Sequence, residues 1–168
     1  MFALKSITAS GVAGALRKAE RYRLLNDPEA AESICLDVLE VEPRNEQALE
    51  LLLLARTDQL GGEPGATAQR AREVLALLGD AYLRVYYAGL IAERRAKALL
   101  RSSTPGAAAM VYDALREAME CYERAEPLRP AGNDDALLRY NACVRILRAN
   151  PGVVPRGGTT SFEPALED

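Results

Sequence analysis

The sequence predicts an all-α chain of about seven helices, and three observations support this fold class. Ala, Leu, Glu and Arg, which all favour helices, dominate the 168 residues. Val, Ile, Phe and Thr, from which strands are usually built, are sparse and scattered. Apolar residues recur at helical spacing in segments that Pro, Gly or an N-capping residue separates. Because the connecting loops are short, consecutive helices are expected to be antiparallel neighbours.

The helix boundaries follow from caps and prolines. Asp27 is a suitable N-cap and Pro28 suits the first helical position, whereas Pro43 prevents the same helix from continuing. Further N-caps are predicted at Asn45, at Asp80 and at Asn133 or Asp134. The seven predicted helices span about Ser10–Leu25, Pro28–Val41, Glu46–Gln59, Ala66–Leu78, Ala81–Arg101, Ala107–Glu126 and Asp135–Ala149.

Each segment carries an apolar stripe that predicts its buried face. In the third helix, Leu51 and Leu54 widen this stripe until it nearly surrounds the helix, which is typical of a helix between neighbours. The first helix presents Val12, Leu16, Ala19, Tyr22 and Leu25, and the last presents Leu138, Asn141, Ala142, Arg145 and Ile146.

Several kinds of catalytic site are disfavoured by the composition. The chain has no histidine, which removes Ser-His-Asp and Cys-His nucleophile systems and histidine-ligated zinc. Neither GVAG nor GGEPG has the spacing of a phosphate-binding loop. Carboxylate pairs such as Glu29 with Glu32 and Glu117 with Glu120 have no convergent partner in the sequence. We therefore predict no enzymatic activity, catalytic residue, metal or cofactor.

Charge, hydropathy and cysteine usage predict a cytoplasmic chain that binds neither nucleic acid nor membrane. The net charge is -3, whereas nucleic-acid binding usually requires a basic face. No apolar run reaches the roughly 18 residues that span a bilayer, and small residues interrupt the weakly apolar N-terminal segment. Cys35, Cys121 and Cys143 are far apart and form no CxxC, which is typical of free thiols in a reducing compartment.

Two stretches show the pattern of a repeat. If Pro43 is a closing proline, then Ala19 and Ala31 fall where two helices cross closely, and Tyr22 falls where an aromatic fills the gap. Cys35 and Val38 take the remaining second-helix positions. A second alignment on Pro130 places Ala118, Tyr122 and Ala125 at the same positions, and Gly89 and Ala92 match the crossing half of a first helix.

With these residues the chain resembles the tetratricopeptide repeat (TPR) family, whose unit is a 34-residue helix-turn-helix. The resemblance covers about residues 10–149 and implies a right-handed α-solenoid of helix pairs. It departs from the family pattern because no Trp-x-x-Leu-Gly is intact. About five extra helical turns between Gly89 and Ala118 also predict an elongated third hairpin.

In such a solenoid the first helix of each pair lines the concave face, which receives partner peptides or helices. The resemblance therefore implies a protein-binding adaptor. Residues 1–9 are predicted to be a flexible N-terminus, and residues 150–168, which are rich in Pro, Gly and Thr, a disordered tail. The Lys/Asn/Arg clamp of one peptide-binding subfamily is absent. The candidate partner-binding residues are Glu20, Arg23, Glu50, Leu54, Thr57, Tyr86, Leu90 and Arg94, and Gln47 and Glu93 belong to the same exposed set.

Four further features leave alternatives open. The basic cluster of Arg94, Arg95, Lys97 and Arg101 could meet an acidic partner or a phosphate, or could only compensate a helix dipole and be solvated. Most tyrosines are expected to fill the core, with Tyr87 as the exposed exception. Phe162 and Leu166 could dock in an apolar groove. The last helix has more apolar residues than one buried face needs, so a self-associating structural or regulatory subunit is the alternative function; they are Leu137, Leu138, Val144, Ile146 and Leu147.

Overall fold

The computed structural model describes residues 2–60, 64–102 and 106–157, and none of these residues lies in a strand. The all-α prediction is therefore confirmed for this part of the chain. Phe162 and Leu166 lie outside the described residues. The helices are α1 (Val12–Leu24), α2 (Pro28–Val41), α3 (Glu46–Asp58), α4 (Pro64–Leu75), α5 (Ala81–Arg101), α6 (Ala107–Ala125) and α7 (Asp135–Ala149), with 3-10 turns at Ala9–Gly11 and Glu126–Leu128.

Side-chain caps fix the helix starts where the sequence predicts them. Asp27 accepts a hydrogen bond from the Ala30 backbone N–H at 3.1 Å. The Asn45 and Asp80 side chains accept equivalent bonds from backbone N–H groups three residues later, each at 2.9 Å. At α7 the Asn133 side chain accepts from the Asp135 N–H at 2.9 Å, so Asn133 rather than Asp134 satisfies this helix start. Local chemistry therefore determines where these helices begin.

Each helix packs against the next one along the chain, and α1 also contacts α3 while α5 contacts α7. As predicted, α3 is buried on most sides, because it lies between α2 and α4 and touches α1 as well. Burying one leucine side chain contributes about 1.5–3 kcal/mol, so α3 is a major source of stability. Its buried residues are Ala48, Leu49, Leu51, Leu52, Leu53, Ala55 and Thr57.

The helix α5 belongs to both hydrophobic clusters of the described chain. Leu90 and Ile91 join a first cluster that α1 to α4 mostly build. Ala92 and Ala96 join a second cluster with α6 and α7, against which Val153 also packs. One helix therefore contributes its side chains to two adjacent cores.

The contact between α5 and α6 is close at Gly89, as the small residue predicts. A Cβ atom added there would lie 2.8 Å from Cε1 of Tyr122 and 3.1 Å from Cβ of Cys121. These neighbours lie one helical turn beyond Ala118, the residue that the repeat alignment pairs with Gly89. Only glycine allows the Tyr122 ring to occupy this position.

Two predicted apolar stripes are wrong in part. In α1 the stripe is buried from Val12 to Ala19, but Tyr22 is 40% exposed and Leu25 is 65% exposed, because the helix ends there without a covering neighbour. In α7 the fully buried residues are Ala136 and Cys143, whereas Leu138 is exposed. The actual inner face of α7 lies about one residue away from the predicted stripe, because the side chains that meet α5 and α6 decide it.

A buried carboxylate joins α2, α3 and α4. Glu32 is 7% exposed and accepts hydrogen bonds from Arg56 at 3.0 Å and Gln59 at 2.9 Å, and Arg70 pairs with it as well. Burial by itself would raise the pKa of Glu32. The bonds from Gln59 and Arg56 and the two arginine charges outweigh burial and lower the pKa. The carboxylate is therefore ionised and fully compensated by its neighbours.

Candidate functional site

Asp58, near the C-terminal end of α3, connects three helices on one surface. Its carboxylate accepts from Arg23 Nε of α1 at 2.6 Å and pairs with Arg94 of α5. Arg94 also donates to the hydroxyl of Thr57 and to the Leu54 carbonyl oxygen. The three paired charged side chains are 21% to 26% exposed, so the group lies at the surface and not in the core.

A second carboxylate, Glu93, lies completely buried on α5. It accepts a 2.7 Å hydrogen bond from the Tyr122 hydroxyl of α6. Lys97 Nζ lies 2.5 Å and Arg139 Nη1 of α7 lies 3.4 Å from the same carboxylate oxygen. Burial and the adjacent Glu93 charge raise the pKa of Tyr122, so its hydroxyl keeps its proton and donates. Glu93 thus ties α5, α6 and α7 together.

A cavity of about 360 Å³ is lined by residues from α3, α5 and α7 and from the turn that follows α3. Four of its lining side chains are cationic, and one, Asp58, is anionic. The complete lining is Thr57, Asp58, Leu60, Arg94, Lys97, Arg101 and Arg139. We call this site the basic cavity.

The positive groups around the basic cavity are close enough to influence one another. Burial lowers the pKa of Arg94, and the charges of Arg23 and Arg139 lower it further, while Asp58 opposes the change. Arg139 has a raised pKa, because the Tyr86 hydroxyl and the Glu93 carboxylate stabilise its charge more than burial disfavours it. The surface therefore concentrates positive charge at one place on an acidic chain.

The candidate partner-binding residues fall into two groups. Glu20 is fully at the surface, and Arg23, Glu50, Leu54, Tyr86 and Arg94 are partly exposed. The expected exposure of the other two is wrong, because Thr57 is 3% and Leu90 is 2% exposed. Leu90 packs in the first cluster, and the Thr57 hydroxyl is held by the Leu54 carbonyl oxygen at 2.8 Å. Arg23, Leu54, Thr57 and Arg94 are brought together around Asp58.

Two further expectations of exposure are wrong. Glu93, expected beside Arg94 on the exposed face, is completely buried because Tyr122, Lys97 and Arg139 surround it. Tyr87, expected to be exposed, is 8% exposed and donates a 2.6 Å hydrogen bond to Glu50.

Of the other tyrosines of α5, Tyr82 is an interior residue, as predicted, and is 5% exposed, whereas Tyr86 is half-buried. Their rings are stacked with centroids 5.6 Å apart, and the Tyr86 ring lies 5.9 Å from that of Tyr122. The Tyr82 hydroxyl donates to Asn133 at 3.1 Å. These rings fill the space between α5, α6 and the start of α7.

Three of the four cations in the basic cluster of α5 form ion pairs, but each of them shares its carboxylate with another cation. Arg95 pairs with Glu117 at 2.9 Å, and Glu117 also pairs with Arg72 of α4 at 2.7 Å. Arg94 pairs with Asp58, and Lys97 pairs with Glu93. Arg101 is exposed and has no carboxylate partner within residues 2–60, 64–102 and 106–157.

Sequence reasoning missed Asp58 and Arg139 as members of this site. Asp58 is a single acid at a helix end, and Arg139 lies on a helix whose inner face was misassigned. The one available signal was that Arg139 precedes Cys143 by four residues and therefore shares its face.

Comparisons with protein-family models, with curated proteins and with solved structures found no match to this chain. Within the described residues, no group of three or more Cys, Asp or Glu side chains could hold a metal ion. No helix in that part of the chain combines the length and the apolar character needed to cross a membrane.

Proposed function

We propose that this chain is a non-enzymatic adaptor that binds a segment of another protein on the surface shared by α1, α3, α5 and α7. The observation that carries the proposal is the position of Arg23, Asp58, Arg94 and Arg139, which come from these four helices and meet around the basic cavity. In this proposal the alternate helices form the concave face of a right-handed, TPR-like α-solenoid.

Contacts between the helices support the solenoid arrangement. Alternate helices touch at α1 with α3 and at α5 with α7, as expected when helix pairs stack side by side. Gly89 lies against Tyr122 while Arg95, further along α5, pairs with Glu117, which comes earlier in α6. The two long helices α5 and α6 therefore run in opposite directions, as the paired helices of an elongated hairpin do.

Binding would use side-chain anchors and surface complementarity, without covalent chemistry or a cofactor. A cytoplasmic location belongs to this proposal, because all three cysteines are free thiols and two of them are buried. Neither nucleic acid nor a membrane is a proposed partner.

Site-specific photo-crosslinking tests the proposed surface. A photoreactive amino acid replaces Glu20, which is exposed on α1 one turn before Arg23, and a matched variant carries it at Glu40, which is exposed on α2. We expect cross-linked protein bands from the Glu20 position in cells of the source organism, and much weaker ones from Glu40. Equal labelling from both positions, or none above background, would contradict the proposed surface.

Self-association is the second candidate function, and exposed apolar residues at the C-terminal end favour it. Leu138 of α7 is 63% exposed and Leu128 is 48% exposed, although both are large apolar side chains. Light scattering on the purified chain measures this directly. Self-association predicts a dimer that Leu138→Asp converts to a monomer, whereas a strict monomer at high concentration removes this candidate.

A further inference from the structure

The charges around the basic cavity do not balance. Among the described residues, five cationic side chains surround two carboxylates, those of Asp58 and Glu93; the cations are Arg23, Arg94, Lys97, Arg101 and Arg139. An excess of three positive charges therefore remains at this place, although the whole chain has a net charge of -3.

The excess charge is accessible from outside. The side chains of Lys97 and Arg139 are 36% and 39% exposed, whereas the Glu93 carboxylate that they share is 0% exposed. Each cation can therefore donate outward with the N–H groups that do not point at Glu93, because an ammonium carries three donors and a guanidinium five. Arg101 adds a guanidinium that no carboxylate of the described chain occupies.

We infer that the basic cavity binds an acidic peptide segment of the partner protein, with carboxylates of that segment contacting Arg101, Lys97 and Arg139. The inference rests on the proposed adaptor function and names the chemistry of the partner. Charged hydrogen bonds of this type are about twice as strong as neutral ones, and guanidinium groups bind carboxylates in a two-pronged geometry.

The spacing of the cations favours a peptide over one small anion. Arg94, Lys97 and Arg101 follow one another at intervals of three and four residues, so they form a row along one face of α5. From Arg94 to Arg101 this row is about 10 Å long. A single phosphate is too small to contact the whole row. Alternate side chains of an extended peptide lie about 7 Å apart on one side, so two or three acidic residues can follow it.

Fluorescence anisotropy with a defined peptide tests this inference. The probe is a fluorescein-labelled peptide in which serine and glutamate alternate, with three glutamates, and its control has glutamine in their place. At low ionic strength we expect the glutamate peptide to bind about tenfold or more tightly than the glutamine peptide, with binding weakened at high salt. Equal binding of the two peptides, or no binding of the glutamate peptide, would overturn the inference.

Substitutions at Arg101 locate the binding, because this side chain is exposed and forms no ion pair with the part of the chain that the structure describes. Arg101→Gln should weaken binding of the glutamate peptide about three- to tenfold, and Arg101→Glu should weaken it more than about tenfold. Arg145→Glu is the matched control, since Arg145 is exposed on α7 and does not line the cavity. Circular dichroism melting confirms that each variant is folded. An Arg101→Glu variant that binds as tightly as the wild type would contradict the assignment.

Competition separates a peptide site from a site for any small anion. Unlabelled glutamate peptide should displace the probe at a concentration at least about tenfold lower than inorganic phosphate requires. If phosphate displaces the probe equally well, the cavity is a simple anion site and the peptide assignment fails. Failure of the adaptor proposal is distinguishable, because Glu20 would then give no specific cross-link. If Glu20 gives specific cross-links but the glutamate peptide does not bind, the adaptor proposal stands and only the acidic character of the partner is contradicted.

Discussion

Glu32 and Glu93 are two buried glutamates that each tie three helices together, and their surroundings differ. Glu32 joins α2, α3 and α4, and its partners Arg56, Gln59 and Arg70 compensate it within its own half of the chain. Glu93 joins α5, α6 and α7 next to a cavity whose cations exceed its own charge.

The difference indicates that similar buried carboxylates can serve two purposes. Around Glu32 two arginines face one carboxylate, an excess of one positive charge, so the network stabilises helix packing and attracts an anionic ligand less strongly than the basic cavity with its excess of three. Around Glu93 the same kind of network holds Lys97 and Arg139 in place but leaves part of their charge uncompensated. We therefore assign stability to the first network and recognition, in addition to stability, to the second.

The largest expected effect is the loss of stability when the charge of either glutamate is removed. Glu93→Gln leaves Lys97 and Arg139 without their buried counter-charge, so we expect a loss of about 2–4 kcal/mol in the free energy of unfolding. Glu32→Gln should cost less, about 1–2 kcal/mol, because half of the Arg70 side chain is already solvated. Urea unfolding of both variants measures the two values. An equal or larger loss for Glu32→Gln would contradict the ranking.

The close contact between α5 and α6 predicts that replacing glycine by alanine has opposite effects on stability at Gly89 and at Gly14. Gly89→Ala should destabilise by about 1–3 kcal/mol, since its methyl group would meet the Tyr122 ring, which the bond to Glu93 holds. Gly14→Ala on α1 is the control, because a Cβ atom there would lie 3.9 Å from Nη2 of Arg17, an ordinary van der Waals contact. There the better helix propensity of alanine should stabilise by about 0.5–1 kcal/mol. Thermal melts that shift in the same direction for both would argue against close contact at Gly89.

Asp58 lies between the two regions, and its removal should separate stability from binding. Asp58→Asn breaks the pairs with Arg23 and Arg94, and we expect about 1 kcal/mol lower stability at low salt and a smaller loss at high salt. The same change adds one positive charge to the basic cavity, so the affinity for the glutamate peptide should increase. Weaker peptide binding in a folded Asp58→Asn variant would contradict the electrostatic account of the cavity.

Lowering the pH should remove the contribution of Glu32 to the free energy of unfolding. The pKa of Glu32 is lowered from its ordinary value of 4.5, so its stabilising effect is complete above that pH and is lost as the pH falls through the folded-state pKa. The stability gap between wild type and Glu32→Gln, about 1–2 kcal/mol at pH 7, should therefore narrow towards zero in acid. Urea midpoints at several pH values measure it. A gap that widens on acidification would contradict the sign.

The smallest expected effect concerns two buried cysteines, which should become reactive at the same urea concentration. Cys35 lies near Glu32 and Cys143 near Glu93, and burial followed by these charges raises the pKa of each thiol to about 12. Both should therefore resist maleimide in the folded chain. Because α5 contributes to both cores, labelling of the two thiols should begin at the same urea concentration. Separate labelling midpoints would show that the two regions unfold independently.

The sequence was sufficient for features that depend on neighbouring residues. Asp27 and Asn45 cap helices through N–H groups three residues away, so their roles are visible in a short stretch of sequence. The same holds for the crowded apolar arc of α3, which requires neighbours on several sides wherever they come from. Gly89 could be recognised as a crossing residue, although its contact partner, Tyr122, was one turn from the expected one.

Features that depend on distant residues could not be predicted in the same way. In sequence, Glu93 and Lys97 form an ordinary pair on an exposed helix face, four residues apart. The burial of Glu93 depends on Tyr122 and Arg139, which are 29 and 46 residues away in the sequence. The basic cavity likewise requires Asp58 and Arg139 to meet α5, and no local pattern in either segment indicates this. The candidate residue Arg94 was found, but the structure was needed to show which charges around it remain uncompensated.

The shared helix α5 has a consequence for how a chain of this kind can change in length during evolution. Ordinary repeat arrays gain or lose whole units, because each unit contacts only its neighbours. Here Leu90 faces one core and Ala92 the other, so deleting or duplicating the central pair would leave an unfilled face on both sides. Insertions and deletions among relatives should therefore be confined to the two ends of the helical array.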